Sequence, residues 1–161
     1  MTFDDWYREQ HPLVLAALTV ASARPDVAAE ATDEAFVRAY ERWQRVERMA
    51  SPGGWLYRVA LNDLRRRLRR GAKEQDLLQR VVVHDDVTDP ANVIDPTLWD
   101  AVRALPERQR TAVALRYVLD LTEPEIAEIM EVTRGTVAAT LAAARRSLEA
   151  ALEPTREVCR G

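Results

Sequence analysis

A dense group of arginines is the first feature of this chain that could do chemistry. Six cationic side chains fall within the nine positions 65–73, namely Arg65, Arg66, Arg67, Arg69, Arg70 and Lys73. Guanidinium groups bind phosphate oxygens through paired N–H donors, which favours contact with a nucleic-acid backbone. The alternative is that these cations complement the dipole at a helix end, but six exceed that need.

Aromatic side chains just before the arginines could add base stacking. Ser51 and Pro52 predict the start of a helix, because serine caps helices and proline suits the first turn. Trp55 and Tyr57 lie in this helix, close to a glycine-containing loop that begins at Met49. Aromatic rings beside a basic face can hold separated DNA strands by stacking. Helical spacing equally fits core positions, so the pattern leaves both roles open.

A helix-turn-helix pattern is the second feature that points to DNA. It reads LTEPEIAEIMEVTRGTVAATLAAARRSL from Leu121 to Leu148. Thr122 and Glu125 have capping-box spacing and predict the start of the first helix. The turn spans residues 131–133, where a left-handed Glu131 would cost about 1 to 2 kcal/mol. The predicted buried face of the first helix is Ile126, Ala127, Ile129 and Met130.

The second helix of this pattern has an unusual composition for a helix that reads DNA. Thr133 is its predicted cap, and Val137, Leu141 and Leu148 are predicted to face inward. The candidate base-reading positions near its start are Arg134, Thr136, Ala138, Ala139 and Thr140. Two of these are alanines, where basic or polar side chains are usual. An ordinary packed helical hairpin remains the alternative explanation of the pattern.

Composition and charge predict an all-α protein of two small helical domains joined by a flexible acidic linker. The chain has 161 residues, of which 47% are hydrophobic, with only 5 glycines, and it shows no strand-like alternation. Residues 1–73 carry 13 basic and 10 acidic side chains, whereas residues 74–99 carry 1 and 6. We therefore predict domains at 1–73 and 97–153, a linker at 74–96, and a disordered tail at 154–161.

Several functions are disfavoured by the same sequence. The apolar stretch from Leu13 to Ala23 is too short to cross a bilayer, which predicts no membrane insertion and a cytoplasmic protein. Cys159 is the only cysteine, which excludes an intrachain disulfide and a cysteine-based zinc site. His11 and His84 lie in unrelated contexts, and there is no glycine-rich phosphate loop. We expect no catalytic residues, no metal and no cofactor.

Two segments in a fixed order resemble a known family. The segment LPERQRTAVALRYVLDLTEPEIAEIMEVTRGTVAATLAAARRSL resembles region 4 of bacterial sigma-70-type factors. The segments EATDEAFVRAYERW and WLYRVALNDLRRRLRR resemble region 2 of the same family. The resemblance covers about residues 5–153, and its compact arrangement is similar to the extracytoplasmic-function (ECF) group.

The resemblance implies a sigma factor that binds core RNA polymerase and directs promoter recognition, DNA melting and transcription initiation, without catalysis. It implies a polymerase-binding surface at Glu30, Asp33, Glu34 and Phe36. It implies that the loop from Val46 to Gly54 captures a base flipped out of the minus-ten element. The implied minus-ten contacts are Met49, Ser51, Trp55, Tyr57, Asn62, Arg65, Arg66 and Arg69. It implies minus-thirty-five contacts at Thr133, Arg134, Thr136, Ala138, Ala139, Thr140 and Arg145.

Departures from the family pattern leave a second hypothesis open. Relatives often have basic residues where this chain has Ala138, Thr140 and Ala143, so fewer phosphate contacts and weaker upstream recognition are expected. The alternative is a sigma-like regulator that retains polymerase or partner binding but has weak independent promoter recognition. The expected partners are core RNA polymerase and promoter DNA, and the resemblance also allows an anti-sigma factor.

Overall fold

The fold consists of helices in two groups, as the composition predicts. The computed structural model describes residues 1–75 and 95–158, and within them every regular element is helical, which confirms the all-α prediction. Most of the predicted linker lies outside the described residues, as does Cys159. The elements are α1 (Phe3–Ser22), α2 (Pro25–Glu41), α3 (Trp43–Val46), α4 (Pro52–Gln75), α5 (Pro96–Arg103), α6 (Glu107–Val113), a π-helical segment (Ala114–Val118), α7 (Glu123–Met130) and α8 (Arg134–Val158).

Local capping signals account for where several helices begin. Asp5 N–H donates to the Thr2 hydroxyl at 3.2 Å at the start of α1. The Asp95 carboxylate accepts from the N–H groups of Thr97 and Leu98 at 2.9 and 3.2 Å, and caps α5. These contacts satisfy backbone donors that a helix leaves unpaired in its first turn.

The N-terminal group is a bundle in which α1, α2 and α4 pack on one another. Its core includes Val14, Ala28, Val46, Leu56 and Leu64, each at most 1% exposed. In the C-terminal group, α8 packs against α5, α6 and α7, around Ile126, Val137 and Leu141. Small residues such as Ala28 let helix axes approach closely.

The two groups also contact each other. Helix α1 packs against α6 and the π-helical segment. Arg110 Nε donates to the carbonyl of Ala21 at 3.1 Å, and its Nη1 donates to the carbonyl of Leu105 at 2.7 Å. A small apolar cavity lies at this contact, lined in part by Leu18, Tyr57 and Leu115.

The expected tail differs from the structure. Helix α8 continues through Val158, so residues 154–158 have a helical backbone where disorder was expected. Extending an existing helix adds one hydrogen bond for each residue fixed, which is cheaper than starting a new one. Helix α4 likewise runs two residues past the predicted domain end, to Gln75.

Candidate nucleic-acid and polymerase interfaces

The start of α4 is shaped by a close contact between Ser51 and Gly54. The Ser51 hydroxyl accepts from Gly54 N–H at 3.2 Å, and a Cβ on Gly54 would lie 2.7 Å from that oxygen. Glycine therefore permits the serine to cap the helix. Ser51 is exposed, whereas Met49 and Trp55 are half-buried and pack against the core. The loop and the first turn of α4 thus expose one polar side chain and leave two apolar side chains partly accessible.

One side of α4 carries a stripe of mostly polar side chains that begins at the half-buried Trp55. We call it the minus-ten stripe, after the element that the family resemblance predicts it to contact; it consists of Trp55, Arg58, Asn62, Arg65 and Arg69, at spacings of three or four residues. Such spacings place side chains above one another on a single helix face. Arg58, Asn62 and Arg69 are exposed, and Arg65 is half-buried. The stripe can offer an amide and three guanidinium groups to a phosphate backbone.

The side of α4 that faces α2 has a different electrostatic character. Asp63 is buried there, with a side chain 0% exposed, and it pairs with both Arg66 and Arg67. The hydrogen bond to Asp63 raises the pKa of the Arg67 guanidinium above its ordinary value. Arg66, which was predicted to contact DNA, therefore has an acidic partner within its own helix.

Two other predicted site residues are core residues in the structure. Phe36 is 3% exposed and packs against Trp6 and Tyr7, with ring centroids 5.6 and 4.8 Å away. Tyr57 is 6% exposed, and burial raises the pKa of its hydroxyl. Sequence spacing fits a core position and a ligand-facing position equally, and helix packing places both rings inside.

The acidic residues predicted to bind polymerase lie along α2, in different surroundings. Asp33 is exposed, and its carboxylate lies 3.4 Å from His11 Nε2. Glu30 accepts from Arg67 Nη1 at 2.6 Å, and Glu34 accepts from Arg38 Nε at 2.9 Å. Glu30 and Glu34 are thus paired with arginines and Asp33 with a histidine; the side chains of Asp33 and Glu30 are 71% and 66% exposed, and that of Glu34 is 37% exposed.

The helix-turn-helix has the caps and the strained turn that its sequence predicts. The Glu125 carboxylate accepts from the N–H and hydroxyl of Thr122 at 2.8 and 2.7 Å. These hydrogen bonds, the one from the backbone N–H first, lower the pKa of Glu125. Glu131 is left-handed, at φ 57° and ψ 43°, as expected. Thr133 accepts from Thr136 N–H at 3.1 Å and caps α8.

The start of α8 is exposed but chemically sparse. Arg134, Thr136, Ala138 and Ala139 are exposed, and Thr140 is half-buried. The hydroxyl of Thr136 lies 2.9 Å from that of Thr133, and Thr140 donates to the Thr136 carbonyl at 2.7 Å. These local contacts use part of the hydrogen-bonding capacity of the threonine hydroxyls. Arg134 is left as the one cationic side chain among the five predicted positions on the first two turns.

The remaining features of α8 concern packing. Ala144 is fully buried, so part of the alanine-rich composition reflects close contact with the neighbouring helices. Arg145 Nε donates to the Tyr117 hydroxyl at 2.8 Å, which ties α8 to the π-helical segment. The predicted inward positions Val137 and Leu141 are each 1% exposed.

Sequence reasoning missed three residues that shape these surfaces. Asp63 was not singled out, although its spacing of three and four residues to Arg66 and Arg67 predicts ion pairs on one helix face. Arg58 belongs to the minus-ten stripe by the same spacing rule. Its partner Glu128, 3.2 Å away on α7, could not be found from spacing because the two residues are 70 positions apart.

Metal and membrane chemistry find no support in the described part of the chain. Over the side chains that the structure describes, no three histidine, cysteine, aspartate or glutamate residues converge on a metal site. Among the helices described, none is long and apolar enough to span a membrane.

Comparisons with known proteins match both helical groups. Residues 6–74 match the family model of sigma-70 region 2, and residues 97–148 match that of sigma-70 region 4. The chain is 30% identical to the ECF RNA polymerase sigma-E factor of Haemophilus influenzae, over 88% of this chain and 82% of that protein. It is 29% identical to the RNA polymerase sigma-H factor of Pseudomonas aeruginosa, over 79% and 74%.

Solved structures share the fold at lower identity. The sigma factor RpoE of Bartonella quintana, solved in complex with the anti-sigma factor NepR, aligns with a TM-score of 0.79 at 20% identity, over 94% of this chain and 96% of that chain. CnrH, solved in complex with the cytosolic domain of CnrY, aligns with a TM-score of 0.63 at 19% identity, over 94% and 88%.

These matches place the chain in the class of bacterial transcription initiation factors. The chain belongs to the sigma-70 family and, within it, to the ECF group. It is therefore a promoter-recognising sigma factor, which works with core RNA polymerase to start transcription.

Proposed function

We propose that this sigma factor reads the minus-ten element with the exposed side of α4, and that this side supplies most of its DNA-binding energy. The observation that carries the proposal is the minus-ten stripe, which places Asn62 among three guanidinium groups on one exposed helix face. Met49 and Ser51, in the loop that begins α4, extend this surface toward a flipped base. Phe36 and Tyr57 are left out because both are core residues.

The upstream element is held more weakly in this proposal. The start of α8 offers Arg134 for phosphate contact, together with Thr133, Thr136 and Thr140. Ala138 and Ala139 lack hydrogen-bond donors and can contribute only contacts with thymine methyl groups. Arg145 contributes while also bound to Tyr117. The composition of this surface supports a sigma factor whose specificity lies mainly in the minus-ten element.

The polymerase-docking surface is proposed to centre on Asp33. This carboxylate is 71% exposed and its neighbour in the domain is His11, whereas Glu30 and Glu34 are engaged by arginines, which are permanently charged. An exposed acidic group can pair with a cationic surface of the polymerase, because interfaces are arranged with complementary charge. Glu30 and Glu34 then contribute by shaping α2.

Transcription in vitro with purified core polymerase tests the minus-ten assignment. Wild-type protein on a random promoter library should give defined start sites that depend on this chain. The double variant Arg65→Ala/Arg69→Ala should reduce open-complex formation while core binding stays near wild type. Collapse of core binding in this variant would assign the stripe to polymerase instead of DNA. The double variant Arg103→Ala/Arg108→Ala, at exposed positions of α5 and α6 with no proposed DNA contact, is the matched control for two lost arginines.

A second candidate function is a sigma-like regulator, and the donor-poor start of α8 is the observation that favours it. Such a protein would bind core polymerase but start transcription on no template of the library. Defined start sites in the assay above would rule it out.

An anti-sigma partner and a cytoplasmic location complete the proposal. Two proteins of similar fold were solved in complexes with, respectively, an anti-sigma factor and a cytosolic protein domain. A partner of the anti-sigma class would inhibit transcription by this chain stoichiometrically, and added core polymerase would compete with it. Cytoplasmic location is tested by fractionation of cells that express the tagged chain.

A further inference from the structure

A buried carboxylate lies in the middle of the arginine cluster. The Asp63 side chain is 0% exposed and binds Arg66 through Oδ1, while Oδ2 accepts from Arg67 Nε at 2.5 Å. Arg38 Nη2, on α2, lies 3.9 Å from Oδ1. A buried charge is costly unless it is paired. The guanidinium groups around Asp63 supply this pairing, and Asp63 holds them in place in return.

Helix α2 supplies two further carboxylates to the same group. Arg67 Nη1 donates to Glu30 Oε2 at 2.6 Å, and Arg38 Nε donates to Glu34 Oε1 at 2.9 Å. Three carboxylates thus face three guanidinium groups, and their charges cancel. We call this set the α2–α4 network; its members are Glu30, Glu34, Arg38, Asp63, Arg66 and Arg67. The network joins the helix of the proposed polymerase surface to the helix of the proposed DNA surface.

The opposite side of α4 carries the rest of the cluster. Arg65 and Arg66 lie three and four residues after Asn62 and share its face with Arg69, but the Arg66 guanidinium pairs with Asp63. Arg67 lies nearly on the other side of the helix, because two residues correspond to about 200° of rotation. Neighbouring arginines in the sequence therefore point to different surroundings, one toward α2 and one away from it.

We propose that Asp63 is a positioning residue that divides the arginine cluster: Arg65 and Arg69 are left to bind DNA, Arg66 is neutralised within α4, and Arg67 is held against α2. This inference rests on the proposed function for the DNA-binding side. It also changes that assignment at Arg66, whose cation is neutralised within the protein. The density of positive charge in the sequence thus overstates the number of phosphate contacts.

The salt dependence of DNA binding separates the two sides, because each phosphate contact contributes about 0.7 to 0.9 units to the slope of log affinity against log salt concentration. The protein is the holoenzyme formed from the full chain and core polymerase. The probe is a DNA fragment that the wild-type holoenzyme selects from a random promoter library. The matched variants are Arg65→Gln and Arg67→Gln, which lose the same charge two residues apart.

The expected results differ in both DNA binding and stability. Arg65→Gln should lower the slope by about one unit and leave the melting temperature of the free chain unchanged. Arg67→Gln should leave the slope unchanged and lower the melting temperature, since it breaks pairs to Asp63 and Glu30. If Arg67→Gln lowers the slope as much as Arg65→Gln does, the division of the cluster is wrong. If Arg65→Gln leaves the slope unchanged, the proposed DNA face itself is wrong.

The variant Asp63→Asn tests the positioning role directly. Removal of the carboxylate's charge should release Arg66, which lies on the exposed side of α4, toward DNA and steepen the slope by up to about one unit. A residue with only a structural role would lower the melting temperature without steepening the slope, and that result would overturn the positioning role. If Asp63→Asn does not fold, the comparison of Arg65→Gln with Arg67→Gln still decides whether the cluster is divided.

Discussion

Arg58 on α4 donates to Glu128 on α7 at 3.2 Å, and this ion pair joins the minus-ten stripe to the first helix of the helix-turn-helix. The two side chains are 49% and 75% exposed, so water screens the pair strongly. The pair matters for function because the Glu128 carboxylate competes with DNA phosphates for Arg58. A DNA phosphate that binds Arg58 in this arrangement has to displace a carboxylate.

The variant Glu128→Gln should therefore tighten binding of the free chain to a random-sequence DNA duplex. The gain is at most about fivefold, the equivalent of the roughly 1 kcal/mol that an exposed ion pair contributes. Fluorescence anisotropy at low salt measures it. The control Glu149→Gln makes the same charge change at an exposed position of α8. Equal tightening by both variants would mean that net charge alone is responsible.

A lysine at position 138 should strengthen upstream DNA binding. Ala138 is exposed one turn after the start of α8, so Ala138→Lys places a cation on the predicted upstream DNA face. We expect the salt slope of holoenzyme binding to rise by about one unit. Ala150→Lys, at an exposed position farther along α8, is the control. An unchanged slope for Ala138→Lys would show that this face of α8 does not approach the DNA backbone.

Substitutions at Phe36 and Asp33 should have different effects, the first on stability and the second on polymerase binding. Phe36→Ala leaves a cavity against Trp6 and Tyr7 and should cost about 3 to 5 kcal/mol of unfolding free energy. Asp33→Ala removes an exposed carboxylate and should weaken core binding with little change in melting temperature. Thermal denaturation and a core-binding assay measure the two effects. A Phe36→Ala variant that is stable but binds core polymerase weakly would show that Phe36 contacts the polymerase directly.

Replacement of the left-handed Glu131 in the helix-turn-helix by glycine should stabilise the protein. Glu131→Gly removes the steric cost of a positive φ, about 1 to 2 kcal/mol, but increases the freedom of the unfolded chain. The net gain in unfolding free energy should be about 0.5 to 1 kcal/mol. The same change in an exposed helix interior, Glu149→Gly, should instead cost about 1 kcal/mol. Chemical denaturation measures both changes. Destabilisation by Glu131→Gly would contradict the claim that the positive φ of Glu131 is strained.

The capping carboxylate Glu125 should make stability depend on pH. Hydrogen bonds from Thr122 lower its pKa in the folded protein, so its contribution is present above the ordinary glutamate pKa and is lost as pH falls through the lowered value. The melting temperatures of wild type and Glu125→Gln should therefore differ most near neutral pH and converge in acid. Glu149→Gln is the control. A constant difference at all pH values would contradict the capping role of the charge.

Sequence alone determined the features that depend on neighbours within one helical turn. The capping box at Thr122 and Glu125, the left-handed Glu131 and the inward positions Val137 and Leu141 are all confirmed. They follow from local rules: caps, chirality and the period of the helix. The order of the two family-like segments was equally readable, because a motif is a property of the chain itself.

Only the tertiary structure decided which side chains face a partner helix. Tyr57 and Asn62 belong to the same helix, yet one is buried and the other exposed. The pairing of Arg67 with Glu30 and of Arg58 with Glu128 joins residues 37 and 70 positions apart. Charge is a local property of the sequence, but its neutralisation depends on which helix packs alongside. The arginines of α4 therefore look equivalent in the sequence and have different roles in the fold.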